Sequence, residues 1–356
     1  LHGDRARGLF IELFRSAREL PPEWDDLCGD NLYLKREFLQ FIESIDACEQ
    51  TYCIFRNSAG AIDTILMTYV RHNFNLFMFT PVHVSLRVTF VYVPLSVTRP
   101  GIVCRGETRE ELAAYIKGIK GYKLFLNTAV DFRLPGFVQV KTFPRCVLDL
   151  RWNSFDHYMR DLRSGYRHRY KKAIAKSTPL TFRMLDDNRR FDHLLYALYE
   201  EVYKSSPYKI EKLPIGFFQG PFFKIGIFEK ESVAVGFVQL IENGPELIFE
   251  FVGFDHRINS QYDIYISLLL KIVQYGIEHR FERIDFGQTA DEAKLKLGCR
   301  YEPLFGLLHH SNPLVHNFTG AFVRRIEYKP LDEQQFHVFK PALPRLIRQE
   351  TSAQWA

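Results

Sequence analysis

Cysteine is sparse in this chain: six residues in 356, at positions 28, 48, 53, 104, 146 and 299. No Cys-x-x-Cys spacing occurs, and Cys48 with Cys53 has no second pair to complete a zinc site. So low a content excludes a small disulfide-stapled secreted scaffold and points to reduced thiols in a cytoplasmic protein. The chain opens Leu-His-Gly-Asp-Arg-Ala-Arg-Gly with no apolar core behind it, so no secretory signal is expected. The 21 glycines and 17 prolines follow no period, which excludes collagen-like and low-complexity architectures. Also missing are G-x-S-x-G, G-x-x-x-x-G-K-[ST], H-E-x-x-H and the glycine fingerprint of dinucleotide binding. Their absence removes the commonest hydrolase, NTPase, zinc-protease and dehydrogenase chemistries. His309, His310 and His316 have no acid or cysteine beside them to complete a ligand set, so no metal site is expected.

What is present is ordinary globular composition, 46% hydrophobic, 15% aromatic and 25% charged, at a length that suits two domains. The net charge of +5 is concentrated in one place. Arg160, Arg163, Arg167, Arg169, Lys171, Lys172 and Lys176 face one acid, Asp161, and this window alone carries +6. An anionic partner should meet the protein there.

The longest weakly charged stretch, Phe74–Val97, could span a bilayer by length. It is β-branched and aromatic and is interrupted by Pro81, His83, Arg87 and Pro94, so it reads as buried strands. Around it the first half reads as a helix over Pro22–Ser44, then strands over Thr51–Arg56, Asp63–Val70 and Asn75–Thr80. A helix over Thr108–Lys120 follows, with a capping box of Thr108 and Glu111, then strands over Tyr122–Asn127 and Gly136–Leu150. The second half reads as helices Ser154–Arg163 and Tyr166–Lys176, strand Leu180–Met184 and helix Arg189–Lys204. After a turn-rich stretch (Pro207, Pro214, Gly216, Gly220, Pro221) come strands Phe222–Glu229, Ser232–Ile241 and Glu246–Val252. Asn243-Gly244 makes the last turn a hairpin.

A long apolar helix over Gln261–Arg280 carries one polar stripe, Ser267, Lys271, Gln274 and Glu278, and so is expected against a sheet. Strand Arg283–Phe286, a helix capped by Thr289 with Glu292 and stopped by Gly298, and strand Leu304–His309 complete it. Hairpins join antiparallel strands and a strand–helix–strand crossover joins parallel ones, so the sheet is mixed. The first half follows a similar order, which makes a duplicated α/β unit the expected architecture.

The segment Arg283-Ile284-Asp285-Phe286-Gly287 through Lys294 to Gly298 resembles the D-x-G…K-x-x-x-G signature of FemAB-like acyltransferases of the GNAT superfamily. The run Arg163-Ser164-Gly165-Tyr166-Arg167-His168-Arg169-Tyr170-Lys171-Lys172-Ala173 is similar to the basic helix that opens the second unit in such proteins. The resemblance covers residues 150–310 and implies an α/β (α+β) fold of two tandem GNAT-like units, each a mixed, mostly antiparallel sheet flanked by helices. The expected division is a degenerate unit at 1–150, an acyltransferase unit at 151–319 and a tail at 320–356 packing across them. The implied activity is transfer of an acyl or aminoacyl group from a thioester or ester to an amine. The implied donor is acyl-CoA or an acyl carrier protein, with aminoacyl-tRNA less favoured because no long paired-helix insertion is present. The acceptor would be a small-molecule or lipid- or glycan-precursor amine, with peripheral membrane contact open. No tightly bound cofactor is implied.

The residues themselves suggest roles. Glu250 is the one acid in Leu247-Ile248-Phe249-Glu250-Phe251-Val252, where burial would raise its pKa and suit it to deprotonate an amine. It could equally sit on an exposed sheet face. By the resemblance, Lys294 would stabilise an oxyanion or hold a donor phosphate, and Asp285 is a second catalytic candidate, inside a strand where it would need a partner if buried; the plain alternatives are a solvated lysine and a structural acid. Tyr262 and Tyr265 could protonate a leaving group or be packed in the core. Where a CoA-binding GNAT has a glycine-rich turn, this chain has Asp255-His256-Arg257-Ile258-Asn259-Ser260-Gln261-Tyr262, with no glycine. There Arg257, Asn259 and Ser260, with Gln288, are the candidates to contact the donor's phosphates. Arg163, Arg167, Arg169, Lys171 and Lys172 form the anion-binding candidate, interleaved with Tyr166 and Tyr170. The missing glycine turn also keeps a second class open: a non-catalytic GNAT scaffold that holds an anionic polymer or membrane surface.

Overall fold

The structure is a computed structural model that describes residues 11–45, 48–75, 84–95, 98–206, 212–323 and 328–341. The expected strand over 76–80, Pro207 and the tail beyond 341 lie outside the described residues. Runs of β-branched and aromatic residues form fifteen strands among the described residues. In the first half these are β1 Ile11–Phe14, β2 Gln50–Arg56, β3 Ile62–Asn75, β4 Ser85–Val91, β5 Ile102–Cys104, β6 Tyr122–Thr128, β7 Val138–Lys141 and β8 Arg145–Asp149. In the second they are β9 Thr181–Met184, β10 Phe223–Lys230, β11 Val233–Asn243, β12 Glu246–Phe254, β13 Arg283–Asp285, β14 Arg300–Glu302 and β15 Phe305–His310.

They build two sheets with matching topology. One runs β1-β2-β3-β4-β6-β15-β7, with β5 beside β3; the other runs β9-β10-β11-β12-β13-β8-β14. In each, four antiparallel strands lead to one parallel pair, β4 with β6 or β12 with β13, and two further antiparallel strands close the edge. The parallel pairs are joined by crossovers through helices Arg109–Gly118 and Ile264–Glu278, as the crossover argument requires. The fold is therefore a tandem, mixed α/β architecture of two units with the same strand topology.

The sixth strand of each sheet comes from the other half of the chain. β8, from the end of the first half, lies between β13 and β14, while β15, from the end of the second, lies between β6 and β7. A linear boundary at 150/151 thus misses the sheets at these two strands. The two links that cross over, Thr142–Pro144 and Pro303–Leu304, run side by side, with Thr142 N–H donating to the Leu304 carbonyl at 3.0 Å. Each carries a proline, which cannot extend a ladder through its own nitrogen, and the strand expected over Gly136–Leu150 is split there.

Other boundaries also move. The helix expected over Pro22–Ser44 is two helices, Glu23–Cys28 and Arg36–Ser44, broken at Gly29, whose φ of +55° ends the first. Thr108 makes no capping box, because its hydroxyl donates to the buried Asp63 carboxylate at 2.7 Å instead. Thr289 is not a cap either: helix Asp291–Lys296 follows Ala290, which is left-handed at φ +51°. The Asn243-Gly244 hairpin is present, with Gly244 at φ +58°.

Residues of both halves share one core between the units: Trp24, Tyr33, Phe38 and Ile65 pack with Phe217, Phe218, Phe237 and Ile248. The far face of the second sheet is covered by helices Ser164–Ser177 and Ile264–Glu278. Phe339 of the carboxyl-terminal segment closes over Trp152 and Tyr158. All six cysteines are free thiols. Among the described residues no helix is long and apolar enough to cross a membrane.

Candidate active site

Ligands of α/β sheets gather outside the carboxyl ends of parallel strands. Here the parallel pairing of β12 with β13 stops at Ile248 and Asp285, while β12 continues along β11 to Phe254. The two strands fork. At the fork β12 bulges: Gln239 of β11 pairs with Phe251 and the next residue, Leu240, with Phe249, leaving Glu250 as the extra residue. Its side chain turns into the seam between the units, where Oε1 accepts a hydrogen bond from the Tyr33 hydroxyl. Oε2 is buried without a partner. Desolvation, reinforced by the nearby Asp285 charge, holds the Glu250 carboxyl well above the usual carboxylate range.

Gln239, on the neighbouring strand and fully buried, has no partner for either its amide oxygen or its nitrogen. A buried amide left open is costly, so such groups mark a place where a ligand or water completes the set. Glu250 Oε2 and the Gln239 amide bring three such atoms to one bulge. A carboxyl and an amide together present donor and acceptor capacity, the complement of an amide or amine-bearing ligand.

Asp285 is held firmly. Its Oδ2 accepts from Thr98 Oγ1 at 2.6 Å and Arg145 Nη1 at 2.9 Å, and its Oδ1 from the Gly287 N–H at 2.7 Å. Arg145 also binds Glu302 at 2.5 Å and Glu246 at 3.3 Å, and Glu246 pairs with Arg99 of the first unit. Asp285 is thus a strut tied to three donors rather than a free acid, and its proximity adds to the rise in the Glu250 pKa.

Lys294 is 3% exposed, so the solvated reading does not hold. Its Nζ donates to the Gln288 carbonyl at 2.9 Å, beneath a loop where Gly287, Thr289 and Ala290 all have positive φ. Burial lowers its pKa, opposed by Cys146, Asp291, Cys299 and Asp285. Among the described residues no hydrogen bond joins Lys294 to Glu250. Next to it, Asp291 Oδ2 accepts from the hydroxyls of Tyr301 and Tyr328. The Gln288 amide nitrogen is committed to the Phe143 carbonyl at 2.7 Å and Asn127 at 3.3 Å, which ties this loop to the first unit.

The segment read as a phosphate turn is a helix, His256–Tyr262, ending at a left-handed Asp263. Arg257 is tied to Asp255 at 2.7 Å, and Asn259 Oδ1 accepts from the Tyr265 N–H at 3.0 Å. Ser260 is exposed and its carbonyl accepts from Lys176. The Asp255 carboxylate already accepts from the Arg257 N–H at 2.9 Å, so an acid occupies the leading end of this helix where a donor phosphate would lie. Tyr262 is buried beneath Lys230 Nζ, and burial pushes up the pKa of Tyr265, which stacks on Phe254.

On the basic helix Ser164–Ser177, Arg163, Arg169, Lys171 and Lys172 are exposed as a cationic face. Arg167 turns back to the carbonyls of Arg160 and Leu162. Tyr170 is not available for stacking: it is buried, its hydroxyl donating to the Lys296 carbonyl at 2.5 Å.

The structure therefore brings Glu250 and Asp285 together and places Lys294 behind the loop that follows β13. It adds Tyr33, Gln239, Thr98 and Arg145. Gln239 carries the same sequence signal as Glu250, a lone polar residue in the apolar run Phe237-Val238-Gln239-Leu240-Ile241, and was legible. Tyr33, Thr98 and Arg145 carry none, since only the docking of the halves gives them partners.

No protein-family profile and no curated protein sequence matches this chain. Solved structures do. L-PGS from Bacillus licheniformis superposes with a TM-score of 0.52 at 11% identity over 88% of this chain and 98% of that one. FemX gives 0.46 at 8% identity over 78% and 92%, and a GCN5-related N-acetyltransferase from Sphaerobacter thermophilus 0.42 at 11% over 85% and 96%. At such identities the likeness is one of fold. Strand order and the superposition on L-PGS agree on a tandem, mixed α/β fold.

Proposed function

We propose that the protein is an N-acyltransferase. The observation that carries this reading is Glu250, a buried carboxyl of raised pKa with an unpartnered oxygen at the β12–β13 fork, bonded by Tyr33 and near Asp285. An amine entering the seam would attack the carbonyl carbon of a thioester or ester. The C–N bond forms, the C–S or C–O bond breaks, and the amine proton passes to ionised Glu250 and on to the leaving group. A raised pKa makes Glu250 a stronger base once ionised. Gln239 orients the amine or the new amide, and Lys294 keeps the 287–290 loop in place. The donor we favour is acyl-CoA or an acyl carrier protein, with aminoacyl-tRNA second. The acceptor is a small-molecule or lipid- or glycan-precursor amine, in the cytoplasm.

The test is donor turnover, read as free thiol release from acetyl-CoA and a long-chain acyl-CoA with a panel of amines, and as deacylation of aminoacyl-tRNA. Glu250→Gln should lower kcat by about 10²–10⁴-fold with donor binding kept, and should abolish the rise of rate with pH that Glu250 ionisation produces. Turnover unchanged by Glu250→Gln would overturn the reading. The scaffold reading is favoured by one observation, the Asp255 carboxylate on the leading N–H of the 256–262 helix, where a donor phosphate would lie. Under it, no donor turns over, and an anionic polymer binds equally well to wild type and Glu250→Gln.

A further inference from the structure

A cleft of about 350 Å³ opens on the far face of the second sheet, between the basic helix Ser164–Ser177 and helix Ile264–Glu278. Its walls are Phe155, Ile174, Leu180, Phe182, Phe228 and Leu270. It is remote from the fork. Helix Ile264–Glu278 runs back from the carboxyl end of β12, so Gln274 lies about 15 Å along the helix from its start, toward the opposite end of the sheet. The polar stripe of that helix lines the cleft through Ser267, Lys271 and Gln274 instead of facing open solvent.

Each polar group in the lining is bonded within the protein, and Lys271 alone keeps donors open. Ser177 Oγ and Thr178 Oγ1 both donate to the Ile174 carbonyl, and Ser267 Oγ donates to that of Ala173. Gln274 accepts from Lys271 at 3.0 Å and donates to Glu278 at 2.7 Å. The hydroxyls thus turn away, and the cleft offers a ligand mainly carbon. Lys271 is different. Its Nζ has one hydrogen bond, to Gln274, and lies 5.2 Å from the centre of the Phe182 ring. Among the described residues it has no ion pair with a carboxylate, and Glu229, the acid on the adjoining strand, is paired with Arg183 at 2.7 Å. An ammonium with open donors at an apolar cleft fits one kind of ligand: a carbon chain ending in an anion.

We propose that this cleft binds a medium-chain, single-chain anionic amphiphile, with the chain between the two helices and its carboxylate or phosphate on Lys271. The site is independent of the acyl-transfer reading and involves no residue of the fork. The volume suits one chain, so the free amphiphile is favoured over a two-chain membrane lipid.

The test is calorimetric titration with dodecanoate and dodecyl phosphate below their aggregation range, with dodecanol and dodecyltrimethylammonium as controls. Saturable one-to-one binding of the anions is expected, weakened at least tenfold by Lys271→Met and by Ile174→Glu. Ile174 is 40% exposed, so that substitution leaves the fold intact, and thermal unfolding of both variants checks this. Equal binding of dodecanol or of the cationic amphiphile, or binding that neither variant changes, overturns the proposal. So does binding confined to phosphatidylglycerol vesicles with no soluble anion bound. A catalytic activity lost in Glu250→Gln while dodecanoate still binds separates this site from the fork.

Discussion

Glu250 and Lys294 are buried ionisable groups on which burial acts with opposite consequences for stability. Glu250 has a native pKa above its unfolded value near 4.3, so the native state holds the proton more tightly. Its contribution is full below that pH and is lost as pH rises toward the native pKa. Lys294 has a native pKa below the unfolded value near 10.4, so above the native value the unfolded chain binds the extra proton and stability rises with pH. Urea unfolding across pH should therefore show wild type losing ground to Glu250→Gln as pH climbs from the acid side. Against Lys294→Met it should gain, with slopes approaching about 1.4 kcal/mol per pH unit inside each window. Parallel curves for either pair would mean that the residue titrates alike in both states.

At the scale of elements, the second sheet is bound across its strands by Arg145. From β8 it reaches Asp285 on β13, Glu302 on β14 and Glu246 on β12. Its side chain is 12% exposed, and Asp285 is wholly buried. Arg145→Met would leave carboxylates without their cation and should cost about 3–5 kcal/mol in a denaturant titration, because an uncompensated buried charge keeps its desolvation penalty. Arg300→Ala removes a contact to Asp149, with both partners about half exposed, and one to Glu302, which keeps Arg145. It should cost under about 1 kcal/mol. Equal losses in the two variants would remove the claim that burial sets the difference.

At the scale of the molecule, the exchanged strands make the halves interdependent. Without β15 the first sheet loses the strand that joins β6 to β7; without β8 the second loses the link from β13 to β14. The shared core adds to this, because Tyr33 and Phe38 are covered by residues from beyond position 216. Residues 11–150 and 151–341 made separately should each lack a cooperative thermal transition, and co-expression should restore one. A cooperative transition in either half alone would contradict the role given to the exchange.

The sequence by itself determined the period of most elements, the hairpin at Asn243-Gly244, the mixed character of the sheets and the duplicated unit, because local side-chain patterning and turn chemistry encode these. It also singled out Glu250, since a lone acid in an apolar strand is visible without a structure. Only tertiary structure decided the rest. Thr108 and Thr289 carry capping signals, yet the buried Asp63 claims the first and a left-handed Ala290 displaces the second. Strand exchange left no trace in the pattern, because β8 and β15 bury the same kinds of side chain in either sheet. The partners Tyr33, Thr98 and Arg145 lie more than a hundred residues from the acids they hold. A hydrogen bond across that separation is a property of how two units dock, and no local signal specifies it.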